Sequence, residues 1–486
     1  MNRFRAVLPI ALAALLALAG CATRPINPPI AQADPDTGYR FSTRTDLDGR
    51  ETLVVLAFSG GGTRAAAFSY GVLEYLHRTE MVRASGETAR LIDSVAVITG
   101  VSGGSFTALS YGLYGDKLFL DYDKRFLKRN VQGELIARLF NPSYWGHLWS
   151  TNWGRTEMAA DLYDEILFNG ATFADLDRKK DLLVLASATD ISTGARFVFD
   201  QDLFDAMCSN LDAVRLSRAA AASSAVPVVL SAVTLNNYGG TCHYASPARL
   251  MLFEETTKPP RPVARAKRQV DELLAFTDGA NRPYIHLVDG GVADNVGMRA
   301  VLTELETMEA LQLAGQKSRL DGVRRIVVIV VNSKSSPRTH WDESERPPGI
   351  VSLGIQASGV PIDHYSYESL ELLKDKQARW ESARKLRQSA AFAANTDPAI
   401  ARELKAPDID IYAIDVSFAA LKDKAEFEYL NNLPTSFVLP AEAVDRLRAA
   451  AATILADSAE FQRLLKDLGA TLASGATANG DTAATH

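Results

Sequence analysis

Cysteine is nearly missing from this 486-residue chain, which has three, at positions 21, 208 and 242. A cysteine-dense disulfide scaffold is thereby excluded. Positive charge is not in excess either. The formal net charge is −6, which gives no general attraction to nucleic acid. Histidine, cysteine and carboxylates show no zinc-ligand spacing, and no internal repeat is present. The one long apolar run, Ala6 to Ala19, is too short to cross a bilayer comfortably. No cofactor and no metal are implied. What remains is ordinary: 47% hydrophobic and 23% charged residues, the composition of a globular protein with a large core.

The apolar run follows Arg3 and Arg5 and ends Leu18-Ala19-Gly20-Cys21. A basic start, a short apolar stretch and small residues form an export signal. Its end resembles the bacterial lipobox, which implies lipidation of Cys21 as the new N-terminus. An ordinary secretory peptide cut after Ala19 is the competing reading. Ala22 in place of an acidic residue implies the outer membrane for a Gram-negative lipoprotein. Residues 1–20 are thus expected as signal peptide and 21–50, rich in Pro, Asp, Thr and Arg, as a flexible tether. Residues 51–470 are expected as one catalytic domain and 471–486 as a disordered tail. Cys208 and Cys242 then remain as a pair that an oxidising compartment can join, or as two buried thiols.

Within 51–470, apolar strands alternate with helical patterns. Strands are predicted at Thr52–Phe58, Val95–Thr99, Leu182–Thr189, Arg196–Phe199, Ile285–Val288, Arg325–Val331 and Asp408–Val416. Helices are predicted at Thr63–Arg78, from Gly104, and over Gly297–Leu313, Asp363–Leu386 and Pro440–Leu468. The alternation predicts a three-layer α/β/α fold with a mainly parallel central sheet. Residues 117–175 and 250–283 read as insertions.

Three segments carry the chemistry. Gly100-Val101-Ser102-Gly103-Gly104 follows a strand and precedes a helix. That is the setting of a nucleophile elbow, in which glycines let the chain turn sharply beneath an exposed serine. The bland alternative is a glycine-rich turn. Ser59-Gly60-Gly61-Gly62-Thr63-Arg64 also joins a strand to a helix. Gly60, Gly61 and Gly62 can present backbone N–H groups to an oxyanion or a phosphate. Arg64 can add a cation for a substrate phosphate or order the loop. The loop lacks the G-x-G-x-x-G and Gly-Lys-Ser/Thr patterns of nucleotide sites. In Leu287-Val288-Asp289-Gly290-Gly291, Asp289 ends a strand at the carboxyl edge, where open α/β sheets bind ligands. It can serve as a base for a serine, or cap the next turn.

In this order the three segments resemble the patatin-like phospholipase family. Ser-Gly-Gly-Gly-x-Arg-Ala, closing on Ala65, is nearer to its cytosolic phospholipase branch than to plant patatin. Ala222-Ser223-Ser224-Ala225-Val226-Pro227 is similar to a further family segment. The resemblance implies a Ser102–Asp289 dyad without histidine, an oxyanion hole at Gly60–Gly62, and hydrolysis of fatty acyl esters in a lipid or phospholipid substrate. Three alternatives stay open. One is a Ser-His-Asp esterase drawing on His340 or His364, with His286 structural because it would point away from Asp289. Another is acyl transfer to an alcohol. The last is a non-catalytic lipid-binding or envelope-assembly lipoprotein on the same fold.

Two further features could meet lipid. Trp145, Trp149 and Trp153 would share a face of a regular helix, either as a membrane surface or as core. Lys258, Arg261, Arg265, Lys267 and Arg268 cluster before Asp289, either as a headgroup patch or as a solvated loop.

Overall fold

The computed structural model describes residues 23–82, 86, 88–148, 150, 153–246, 264–313, 322–339, 341–393 and 408–470. The expected export signal with Cys21, the expected C-terminal tail, Trp149, Lys258, Arg261 and His340 lie outside them.

The strands are β1 (Thr52–Phe58), β2 (Glu80–Val82), β3 (Thr88–Arg90), β4 (Val95–Val101), β5 (Leu183–Asp190), β6 (Arg196–Val198), β7 (Val233–Asn236), β8 (Tyr284–Asp289), β9 (Arg325–Asn332) and β10 (Asp410–Ser417). The main sheet runs β10-β9-β1-β4-β5-β8-β7, with β6 paired to β5. From β10 to β5 every neighbour is parallel. β6, β7 and β8 join antiparallel. The small β2–β3 hairpin stands apart.

Both faces of the sheet are covered, so its central strands are apolar throughout rather than alternating. In β9, Val327, Ile329 and Val331 enter one core, and Ile326, Val328 and Val330 the other. The first core packs under the helices Gly62–Arg78, Gly103–Tyr114 and Ala441–Asp457. The second packs under Met298–Leu313 and Ile350–Arg387. The latter begins earlier than its periodicity predicts, because Pro361 interrupts the pattern without ending the helix. Pro440–Leu468 is two helices, parted at Ser458, whose side chain caps the second.

Residues 117–175 are a run of short helices bound into the first core by Tyr122, Phe126 and Tyr163. Of the tryptophans, the described Trp145 and Trp153 do not share a helix there. Helix Pro142–Leu148 ends too soon. Trp145 stays half-exposed, while Trp153 is buried and stacks on Tyr144 and His147. Of the basic cluster, Arg265 pairs with Glu306, Lys267 with Asp271 and Arg268 with Glu272, so these three cations are already engaged.

The expectation of a loose tether over 21–50 fails for its described part, 23–50. Tyr39 is fully buried, its hydroxyl bonded to Val184 O and N at 3.0 and 2.7 Å. Arg40, 2% exposed, reaches Asp202 at 2.8 Å and Asp205 at 2.5 Å. Cys208 and Cys242 are joined by a disulfide, with Cα atoms 5.4 Å apart. Ile30 N–H donates to Cys208 O and Ala33 N–H to Cys242 O. Polarity made this stretch read as a linker, yet Arg40 pairs with the buried Asp205 and the partly buried Asp202. Arg40→Ala is therefore expected to destabilise the protein by about 3–5 kcal/mol, the cost of orphaning buried charges, in urea denaturation. A loss below about 1 kcal/mol, the scale of exposed ion pairs, would mean the segment is only loosely attached.

Candidate active site

β4 ends at Val101, and the next residue turns the chain into the helix Gly103–Tyr114. Ser102 takes φ 48° and ψ −120° to do so, a conformation that costs a non-glycine residue of order 1–3 kcal/mol. The flanking glycines are needed sterically. A Cβ on Gly103 would lie 2.0 Å from Gly62 O, and one on Gly104 2.6 Å from Ser59 O. Elbow and glycine loop therefore touch backbone to backbone. Ser102 N–H is held by Ser223 Oγ at 2.9 Å, and that hydroxyl donates to Ser187 O at 2.6 Å.

Ser102 occupies the helix N-cap without capping it. Its hydroxyl donates instead to Asp289 Oδ2 at 2.8 Å, across 187 residues of chain. Both residues are buried. Asp289 arrives by an unexpected route. β8 is antiparallel to β5, and the two share only the pairs Ala188–Asp289, Thr189–Val288 and Asp190–Leu287. β8 thus enters over the carboxyl edge of the parallel strands and stops beside Ser187, the partner of Val101. A Cβ on Gly290 would lie 2.2 Å from Ser187 O. The first glycine after the aspartate is what lets the strand end come this close. Asp289 N–H and Gly290 N–H donate to Ala225 O and Ser223 O, at 2.9 and 3.0 Å.

The turn-capping and serine-contacting roles of Asp289 coexist on different oxygens. Oδ1 accepts Gly291 N–H at 2.8 Å, and Oδ2 accepts Ser102. Burial pushes this carboxyl up to about 6, against the opposing pull of the Gly291 and Ser102 hydrogen bonds. Among the described residues, no histidine stands between the two. His286 is on the exposed face of β8, bonded to Thr234 Oγ1, and His364 is exposed on the helix Ile350–Arg387.

The glycine loop differs from expectation in two respects. Gly60 N–H is committed to Asn295 O at 2.9 Å, and Thr63 N–H to Ser436 O at 2.8 Å. Among the described residues, only the Gly61 and Gly62 N–H groups of the glycine triplet remain for a ligand. They lie in backbone at φ 138° and 61°, where glycine is strongly favoured. Arg64 is not a substrate cation. It is 4% exposed, with Nε on Ser333 O at 2.7 Å, Nη1 on Leu433 O at 2.8 Å and Nη2 on Thr435 Oγ1 at 3.1 Å. Its planar fork ties the loop to two backbone carbonyls at once. Ser333 adds a bond from Oγ to Gly60 O at 3.1 Å.

Four supports went unread in the sequence. Ser223 stands inside the Ala222–Pro227 segment and Asn295 four residues after Gly291, so adjacency was their signal. Ser333 and Ser436 follow a strand and a helix far downstream and carry none. Among the described residues, no group of three His, Cys, Asp or Glu is placed to hold a metal. A cavity of about 220 Å³ lies on the opposite side of the sheet from the elbow helix, lined by Leu53, Val97, Leu185, Leu273, Val301 and Leu305 among others. Neither Ser102 nor Asp289 lines it.

The raised carboxyl has a stability consequence. Asp289 in the folded chain holds a proton up to about pH 6, while the unfolded chain releases it near 3.9. The folded state is thus favoured at low pH, and this advantage is lost as pH rises through 6. Asp289→Asn removes the loss. Its melting temperature is expected to exceed that of the wild type by a margin that grows from pH 4 to pH 7.5. A margin that shrinks over that range would contradict the assigned burial.

Comparison with known proteins adds the family. The model of the patatin-like phospholipase domain matches residues 56–302. No curated protein sequence matches the chain. Among solved structures, human GIVD cytosolic phospholipase A2 is similar at 13% identity and a TM-score of 0.41, over 87% of this chain and 62% of that one. The same enzyme with methyl γ-linolenyl fluorophosphonate gives 14% and 0.40, over 86% and 59%. The chain thus spans about three-fifths of those structures. With the family model covering half its length, and its three glycine-bearing motifs all within that span, this chain belongs to the patatin-like phospholipase family.

Proposed function

We propose that this protein is a lipid acyl hydrolase of the phospholipase A or lysophospholipase type. We further propose that it is held at the bacterial outer membrane by acyl chains on Cys21. The observation that carries the catalytic reading is the 2.8 Å hydrogen bond from Ser102 Oγ to Asp289 Oδ2 beside the glycine loop. Family membership supports the choice of a lipid ester.

In this reading Ser102 Oγ attacks the ester carbonyl as Asp289 removes its proton. The oxyanion that forms is held by Gly61 and Gly62 N–H, aided by the positive end of the helix Gly62–Arg78. Collapse expels the alcohol, which takes the proton back from the carboxyl of Asp289 and leaves an acyl ester on Ser102. Water then attacks that ester, giving its proton to Asp289. The second tetrahedral intermediate releases the fatty acid, and Ser102 recovers its proton. A carboxyl at about 6 is a better base than an ordinary aspartate, yet is still ionised at neutral pH. Ser223 positions Ser102, and Arg64 with Ser333 positions the loop.

Ser102→Ala and Asp289→Asn are each expected to lower hydrolysis of a phospholipid or lysophospholipid by at least about a thousandfold with unchanged circular dichroism. Near-normal turnover in either variant removes that residue from the mechanism. For the wild type, kcat/KM should rise with pH through about 6 and then level; a kcat/KM indifferent to pH between 5 and 7 contradicts the assigned base. Cys21→Ser should abolish metabolic acyl labelling and free the protein from the membrane fraction, and persistent labelling would refute the anchor.

A further inference from the structure

The outer edge of the sheet combines three features that the catalytic reading does not use. The first is a fixed point close to the anchor. Arg24 Nη1 donates to Thr234 O at 3.0 Å, Nη2 donates to Asn236 Oδ1, and the guanidinium stands over the Tyr284 ring at 5.8 Å. Asn27 exchanges two 2.8 Å bonds with the backbone of Asn236. Only two residues separate Arg24 from Cys21, so the covalent chain allows roughly 11 Å of reach between them at most. A domain with so little slack cannot stand off from the lipid that holds the anchor.

The second is placement. Arg24 reaches Thr234 and Asn236, and Asn27 reaches Asn236, so the segment lies along β7, the last strand of the sheet. Val233 pairs with Leu287, two residues from Asp289.

The third is exposed apolar surface at that edge. Ile26, Val228, Val229 and Tyr284 are 63, 61, 52 and 55% exposed. Val228 and Val229 lie between Ala225, whose carbonyl accepts Asp289 N–H, and the start of β7. Val228 is held at φ 75° with its carbonyl bonded to Arg155. A branched apolar residue in strained backbone, facing outward, gains nothing from the protein's own core.

We propose that this edge, with Ile26, Val228, Val229 and Tyr284, is the surface that docks on the bilayer carrying the Cys21 acyl chains, so that Ser102 and Asp289 open toward lipid at the docked side. The inference rests on the anchor part of the proposed function and not on turnover. The occupant is a phospholipid surface.

The test uses the full lipidated protein with Ser102→Ala, reconstituted in phospholipid vesicles containing nitroxide-labelled lipid. A fluorophore is placed on Val229→Cys or on Lys422→Cys; Lys422 is exposed just beyond β10, the opposite edge of the sheet. Quenching is expected to be several-fold stronger at 229. Equal quenching, stronger quenching at 422, or absence of acyl chains on Cys21 overturns the proposal. As a second readout, Val228→Asp with Val229→Asp should slow vesicle hydrolysis at least about tenfold, because interfacial binding scales with buried apolar area, while leaving a monomeric short-chain ester unaffected. Equal slowing on both substrates also overturns it. A wild type that cleaves neither substrate refutes the hydrolase reading instead, and the quenching comparison still decides the docking surface.

Discussion

The contact between the Ser102 hydroxyl and the Asp289 carboxylate constrains most of the surrounding architecture. The two groups are 187 residues apart in sequence and 2.8 Å apart in space. Bringing them together requires backbone to approach backbone more closely than side chains permit. The elbow lies against the glycine loop at Gly103 and Gly62, and the end of β8 lies against β5 at Gly290 and Ser187. The glycines of all three motifs are therefore steric requirements of a single contact. The antiparallel entry of β8 belongs to the same solution. A strand arriving over the carboxyl edge can end with its last side chain level with the elbow, after only three paired residues.

The arrangement is held against its own cost. Ser102 is in strained backbone, and Asp289 is a buried carboxylate facing a neutral partner instead of a cation. Each is opposed by fixed hydrogen bonds: Ser223 on Ser102 N–H, Gly291 N–H on Asp289 Oδ1, and the Ala225 carbonyl on Asp289 N–H. Arg64, Ser333 and Asn295 do the same for the glycine loop. Such preorganisation is what makes N–H donors effective when charge develops in a site with little water. The N-terminal segment is fixed in the same way: Arg40 occupies a site between two aspartates, and Arg24 ties the chain to the edge strand β7.

Sequence made the central strands and the residues of the Ser102–Asp289 contact legible because their signals are local. β1 and β9 are unbroken branched-apolar runs. Ser102 and Asp289 each sit in a strand–glycine context that few other functions demand. What escaped depends on partners distant in the chain. The N-terminal arginines read as linker composition, because nothing near them announces the carboxylates at 202 and 205. Arg64 read either as a substrate cation or as a brace for the loop, and the choice between them lay with its acceptors at 333, 433 and 435, which elements beyond 300 supply. Gly60 read as a donor, because the Asn295 carbonyl on its N–H comes from a turn far along the chain. β7 is four residues long, too short for its alternation to stand out, and with it went the antiparallel sense of β8. The tryptophan spacing was helical, but the helix Pro142–Leu148 ends before the pattern does.

The most direct test of the Ser102–Asp289 contact as a chemical device is reaction of the full-length protein with a fluorophosphonate, followed by mass spectrometry of its peptides. The adduct is expected on Ser102 alone, forming faster as pH rises through about 6, and forming far more slowly in Asp289→Asn. A folded protein that stays unmodified, is modified at another serine, or reacts equally fast without the Asp289 carboxylate would contradict it.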